Sequence, residues 1–233
     1  MRMLNQTASK RPLARKLVAR IKPNSVISEQ YRTIRTTINF SLPGNEMKTL
    51  LFTSASKEEG KSTTSANMAI VFAESGKKVL LVDADMRKPT LHHTFHLNNH
   101  MGLSNLLIGK GELEQSVRDS GIQGLELLTS GQIPHNPAEL LDSPMLDRLI
   151  EKMKERYDLI IFDSPPILSV SDSKIMANKC DGTVLVVNTG KTEKQSAIKA
   201  RDSLTTSKAY IVGVVMNNYK LSKDHYYSYE YNY

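Results

Sequence analysis

Ala55-Ser56-Lys57-Glu58-Glu59-Gly60-Lys61-Ser62-Thr63 follows a short aliphatic run and precedes a helical stretch. This is the spacing G-x-x-x-x-G-K-[ST] of a phosphate-binding loop, with Ala55 at the first glycine position. In such a loop the backbone N–H groups, here those of Ser56 through Thr63, wrap phosphate oxygens. The following helix turns its positive end toward them. Lys61 is expected to reach the β- and γ-phosphates of ATP, and Ser62 to ligate Mg²⁺.

Two further aliphatic runs end in acids. Val79–Val82 leads into Asp83-Ala84-Asp85-Met86-Arg87, and Leu159–Phe162 into Asp163-Ser164-Pro165-Pro166. A strand followed by Asp places a carboxylate at the carboxyl edge of a sheet, where ligands bind in open α/β folds. One such acid suits Mg²⁺, a hard cation that takes oxygen ligands and keeps several waters. Three acids around one phosphate site exceed what the metal needs. The surplus implies that one of them takes a proton from a nucleophile.

These residues need a sheet to hold them, and the pattern supplies one. Aliphatic strands are expected at Thr49–Thr53, Val79–Val82, Leu125–Leu128, Leu159–Phe162, Thr183–Val187 and Ile211–Met216. Helical stretches lie between most of them, at Ser62–Ser75, Met145–Arg156, Asp172–Asn178 and Glu193–Thr206. Continuous Val/Ile/Leu runs separated by helices indicate a parallel sheet covered on both faces. The expected fold is therefore α/β and doubly wound, with a mainly parallel sheet of the P-loop NTPase kind. Ahead of it, Val26, Ile27, Tyr31, Ile34 and Ile38 recur at helical spacing up to Phe40, with Ser25 or Ser28 as cap.

The ends differ from the body. Through Phe40 there are nine Lys/Arg against one acid, a net +8, and the rest of the chain carries −1. The basicity thus belongs to an N-terminal arm, residues 1–25, read as flexible, which suits anionic lipid, nucleic acid or an acidic partner. Residues 26–218 form the expected domain. Residues 219–233 form a polar tail, with five tyrosines in the last eight positions. A single cysteine, Cys180, excludes an internal disulfide framework and fits a reducing compartment. No apolar run reaches the length of a membrane span. His92, His93, His96 and His100 lack interleaved Cys or acidic ligands and are read as a polar loop, not a zinc site.

Taken together, the loop through Ser62, the Asp83-Ala-Asp85-Met-Arg element and Asp163-Ser-Pro165 resemble the bacterial tyrosine kinases of exopolysaccharide and capsule synthesis. The resemblance runs from about Val26 to Tyr233 and rests on the combination, not on any single box. It implies that Asp83 is the base and that Asp85 and Asp163 support Mg²⁺ directly or through water. It implies that Asn217 contacts the adenine, and that Tyr226, Tyr227, Tyr229, Tyr231 and Tyr233 are autophosphorylated. Glu29-x-x-Arg32-x-x-Arg35 looks like that family's subunit-contact motif, so a homo-oligomer, as a ring in similar kinases, is implied. So are a membrane-bound activator that would hold this cytoplasmic chain at the membrane, sugar-nucleotide enzymes as substrates, and a cognate tyrosine phosphatase. No specific nucleic acid is expected. The alternative is a switch ATPase of the partitioning or cell-division-site type. Those carry an extra lysine five residues before the loop lysine, where this chain has Ser56, with Lys57 one place later.

Overall fold

A computed structural model describes residues 16–41 and 47–219. The tail tyrosines and residues 1–15 of the arm lie outside this range. A single turn, α1 (Val18–Ile21), and helix α2 (Val26–Phe40) lead into β1 (Thr49–Ser54), α3 (Lys61–Glu74) and β2 (Val79–Asp83). Three short helices, α4 (Leu91–Thr94), α5 (Leu103–Leu107) and α6 (Leu113–Ser116), precede β3 (Arg118–Ile122) and β4 (Leu125–Leu128). Then come α7 (Pro137–Asp142), α8 (Pro144–Arg156) and β5 (Leu159–Asp163). The last elements are α9 (Asp172–Lys179), β6 (Gly182–Asn188), α10 (Lys194–Thr206) and β7 (Ile211–Asn217).

The strands form one sheet in the order β3-β4-β2-β5-β1-β6-β7. All neighbours are parallel except β3 with β4. The central strands are buried at every position because helices cover both faces. Leu50, Phe52, Leu81 and Ile161 face α1, α2 and α3; Leu51, Leu80, Ile160 and Phe162 face the later helices. Each fully buried side chain of this size contributes about 1.5–3 kcal/mol. Helix α3 is buried almost all round, since the sheet covers one side and α2 the other. Its Ala66, Ala69 and Ala73 allow that close approach.

Strand β3 has no counterpart among the expected elements. Its residues, Arg118-Asp-Ser-Gly-Ile, hold no aliphatic run, because an antiparallel edge strand has one wet face. The arm also departs from expectation. Residues 16–25 are docked, with Leu17 and Ala19 buried against the layer that contains α3. The Ala19 N–H donates to Asn67 Oδ1 at 2.9 Å, and Asn67 Nδ2 donates to Lys16 O at 3.2 Å. Two apolar residues in a basic run are too few to show a period. Ser25 caps α2, accepting from the Ser28 N–H, while Ser28 is buried and donates to Lys22 O. Among the described residues no helix is long and apolar enough to cross a membrane.

Asn67→Ala is expected to cost about 1–3 kcal/mol in urea unfolding, since it strands the Ala19 N–H and the Lys16 carbonyl at the α1–α3 contact. Trypsin should also cut after Lys16 and Arg20 faster in this variant. Unchanged stability and unchanged cleavage would mean that the amide does not hold the arm's root.

Candidate active site

The phosphate-binding loop joins β1 to α3 at the carboxyl edge of the sheet. Gly60 sets its shape, with φ +93°, a left-handed conformation that disfavours a side chain. A Cβ on Gly60 would also stand 2.0 Å from Asn217 Nδ2. α3 starts directly after it, so the helix's first N–H groups, which have no partner within the helix, open onto the loop.

The loop is braced from the far side of the sheet. Glu59 is buried, its Oε2 accepting from the Ser56 N–H at 3.1 Å and its Oε1 from the Thr192 hydroxyl at 2.7 Å. Asn217 Nδ2 donates to Glu59 O at 3.0 Å, and Lys191 pairs with Glu58 at 2.9 Å. The motif assigns Glu59 to phosphate contact through its backbone; its side chain holds the loop closed. The Ser56 N–H already has a partner in that carboxylate. Thr192 and Lys191 escape sequence reasoning, because they come from a connection 133 positions away and carry no local motif.

The three acids converge as expected. Register places Asp83 opposite Asp163, and Phe52, just before the loop, opposite Asp163 on the other flank of β5. Lys61 Nζ lies 3.1 Å from Asp85 Oδ2, 3.5 Å from Asp163 Oδ1 and 3.0 Å from Ser62 Oγ. Burial pushes the Lys61 pKa down, but Asp163 and Asp85 push it up by more, so the net shift is upward. The set of Ser62 hydroxyl and two carboxylates, all hard oxygen donors gathered around one cationic charge, fits Mg²⁺.

Asp83 sits deepest. Its Oδ1 accepts from the Asp85 N–H at 3.2 Å, and its Oδ2 from the Thr90 and Leu91 N–H groups at 2.9 and 3.0 Å. Burial and then Asp163 beside it raise its pKa to about 7, against the pull of the Leu91 N–H and of Lys61. The following loop is tied at both ends. Asp85 Oδ1 accepts from the Lys88 N–H, and Arg87 forks onto Asp172 with bonds of 2.9 and 3.0 Å. Asp172, which in the sequence reads only as the start of a helix, is wholly buried, and Arg87 is its ion-pair partner. The Asp163 segment is sewn to β1 by Ser164 N–H to Phe52 O and Ile167 N–H to Ser54 O.

The proposed subunit-contact residues lie on α2, away from this edge. Arg32 pairs with Glu29 at 2.9 Å and with Glu74 at 3.5 Å, and Arg35 donates to Val71 O. All three contacts are within the chain: the first lies within α2, and the other two hold α2 along α3. Asn217 stands at the end of β7, and its side-chain amide lies against the loop.

A model of the AAA domain family matches residues 58–192. The chain is 51% identical over 217 residues to the tyrosine-protein kinase YwqD of Bacillus subtilis, covering 93% of this chain and 92% of that protein. It is 39% identical to the putative tyrosine-protein kinase CapB of Staphylococcus aureus, over 96% and 98% of the two chains. Among solved structures it is similar to the kinase domain of the Escherichia coli tyrosine kinase ETK. That match has a TM-score of 0.83 and 31% identity, over 91% of this chain and 86% of the other.

The raised Asp83 pKa has a consequence for stability. The folded state keeps this proton up to about pH 7, whereas an unfolded Asp ionises near pH ~4. The folded state binds more protons in that window, so this group's contribution falls as pH rises from about 4 to about 7. In urea titrations the stability of the native chain relative to Asp83→Asn should decline across that window, by on the order of 3 kcal/mol. Parallel pH profiles would show that Asp83 ionises normally.

Proposed function

This chain belongs to the bacterial tyrosine-kinase family, and we propose that it moves the γ-phosphoryl group of ATP onto tyrosines of its own C-terminal tail, presented by a neighbouring subunit. The observation that carries this reading is the convergence of Asp83, Asp85 and Asp163 on Lys61 at the mouth of the phosphate-binding loop. A hydrolytic switch needs a metal-holding acid; a third acid with a pKa of about 7 is suited to a hydroxyl acceptor.

The chain's residues divide the work. The loop N–H groups and the start of α3 hold the phosphates, and Lys61 reaches the transferring group. Magnesium, held by Ser62, Asp85 and Asp163 directly or through water, would neutralise charge that develops on the phosphate oxygens. Asp83 accepts the phenolic proton as the tyrosine oxygen bonds to the γ-phosphorus and the bond to the β-phosphate oxygen breaks, releasing ADP. In this reading Asn217, whose side chain lies against Glu59 and Gly60, contacts the adenine. Positioning and charge stabilisation supply most of the catalysis in such transfers.

Residues 219–233 give 15 positions beyond Asn218, a reach of at most ~50 Å when extended. That serves the chain's own site or a neighbour's. A tail rooted beside its own site must turn back sharply, at a loop-closure cost, whereas a neighbour's tail in an oligomer acts at millimolar effective concentration. Support for self-association is that Ile27 and Phe40 remain exposed on α2. In this reading a membrane-bound activator recruits the chain, sugar-nucleotide enzymes are further substrates, a phosphatase resets it, and the pathway is capsule or exopolysaccharide synthesis. Each phosphotyrosine adds about −1.5 to −2 charges, so repulsion between modified tails loosens the assembly. The switch-ATPase alternative is not favoured: the relatives above are named tyrosine-protein kinases, and Ser56 stands in place of that group's extra lysine.

Mass spectrometry after incubation with MgATP should find phosphate on Tyr226, Tyr227, Tyr229, Tyr231 or Tyr233. Asp83→Asn should lower the transfer rate by about 10²–10⁴-fold and change ATP affinity by less than about threefold. If affinity and rate fell by the same factor, Asp83 would belong to nucleotide binding. Phosphate released to water with an unmodified tail would support the switch reading instead.

A further inference from the structure

The connection from β2 to α4 carries two exposed cations, Arg87 and Lys88, to which the catalytic reading gives no task. Arg87 forks onto Asp172 through Nε and Nη2, at 2.9 and 3.0 Å, and its third nitrogen, Nη1, has no partner among the described residues. Asp172 is wholly buried, whereas the Arg87 side chain is 40% exposed. The buried acid thus holds the guanidinium plane in one orientation and leaves part of it open to solvent. Lys88 is fixed at its root, its backbone N–H donating to Asp85 Oδ1 at 3.0 Å, and its ammonium has no ion-pair partner among the described residues. Hydrogen bonding to Asp172 raises the Arg87 pKa most, and Asp85 adds to the rise, so the guanidinium stands within electrostatic reach of the acid that pairs with Lys61.

Strand order says which side of the site these cations occupy. The phosphate loop follows β1; β6 and β7, which bring Thr192 and Asn217, lie to one side of it, and β5 and β2 to the other. With the adenine at Asn217, as read above, the γ-phosphoryl group is turned toward β5 and β2. In-line transfer brings the acceptor in opposite the departing ADP, hence from the side where Arg87 and Lys88 stand. We propose that Arg87 and Lys88 form a subsite that reads an anionic group next to the acceptor tyrosine. The inference deepens the kinase reading and rests on it. An acidic acceptor segment must approach the phosphates of ATP and two carboxylates, Asp85 and Asp163, and two cations at the entrance offset that repulsion. Nη1 and the ammonium are donors that suit a carboxylate or a phosphate oxygen. The sequence offers both anions. Glu230 lies between Tyr229 and Tyr231, and each of the five terminal tyrosines has another within two positions, a span of at most about 7 Å. A phosphate on one tyrosine is therefore the anion beside the next, and with about −1.5 to −2 charges it is the stronger one. Each transfer then favours a further transfer on the same tail.

The test uses the full chain, MgATP and three synthetic peptides of residues 223–233 in which Tyr231 is the acceptor and the other tyrosines are phenylalanine. The first carries Glu230→Gln, the second keeps Glu230, and the third carries Glu230→Gln with phosphotyrosine at position 229. Relative to the first peptide, kcat/KM is expected to rise about threefold for the second and about tenfold or more for the third, mainly through KM. Both ratios should shrink between about 0.1 and about 0.5 M salt. In Lys88→Glu the ratios should fall to about one, whereas Lys88→Arg should keep them. A merely structural fault would lower kcat/KM for all three peptides alike. Arg87→Gln combined with Asp172→Asn, which removes the buried charge together with its partner, should also flatten the ratios. Equal kcat/KM for the three peptides in the native chain, or ratios that survive Lys88→Glu, would overturn the subsite and leave the kinase reading standing. ATP turned over with no phosphate on any peptide or on the tail would overturn both.

Discussion

In the parallel ladder between β2 and β5, two fully buried carboxylates, Asp83 and Asp163, stand side by side. Two buried like charges this close cannot both persist without compensation. The chain compensates in two ways. It retains a proton on Asp83 up to about pH 7, and it brings Lys61 to within 3.5 Å of both Asp85 and Asp163. The second device is possible only because β1 lies on the other side of β5 and delivers the loop lysine to the same edge. A one-residue slip in either ladder would turn the acid to the opposite face. The apolar strands thus do more than fill the core: their burial fixes the register that assembles the charged site.

The same burial decides which parts of the fold are legible in the sequence. Val79–Val82 and Leu159–Phe162 are buried on both faces, so they appear as unbroken aliphatic runs, and the acid that follows each is automatically at the strand's end. The phosphate loop is a local motif, legible from nine consecutive residues. β3 is not legible, since a half-wet edge strand containing Gly121 has no run to find. Glu59 illustrates a different limit. As a motif residue it reads as one more backbone donor, yet its carboxylate is a brace whose partner, Thr192, is brought near only by the order of strands β1 and β6. Arg87 and Asp172 are hidden for the same reason: a buried acid needs its partner, and the partner is 85 positions away.

Both ends of the described chain attach to one unit, the phosphate loop and its helix. The arm's root is held by Asn67 of α3, and α2 lies along the same helix through Arg35 to Val71 O and Arg32 to Glu74. At the other end Asn217, two residues before the polar tail, donates to Glu59 O and closes over Gly60. Both ends are therefore tied to the phosphate loop and its helix. That arrangement suits an enzyme whose reading here joins membrane position, subunit contact and a tail that is its own substrate.

Phosphorylation of a neighbour's tail is tested most directly by mixing two chains with MgATP: a Lys61→Met chain with an intact tail, and an active chain that ends at His225. Neither can label the terminal cluster on its own chain, the first for want of the loop lysine and the second because Tyr226, Tyr227, Tyr229, Tyr231 and Tyr233 are removed. Transfer between subunits predicts phosphate on the tail of the Lys61→Met chain, at a rate that rises with the concentration of the active partner. An unlabelled tail in the mixture, with the uncut active chain labelling itself normally, would contradict it.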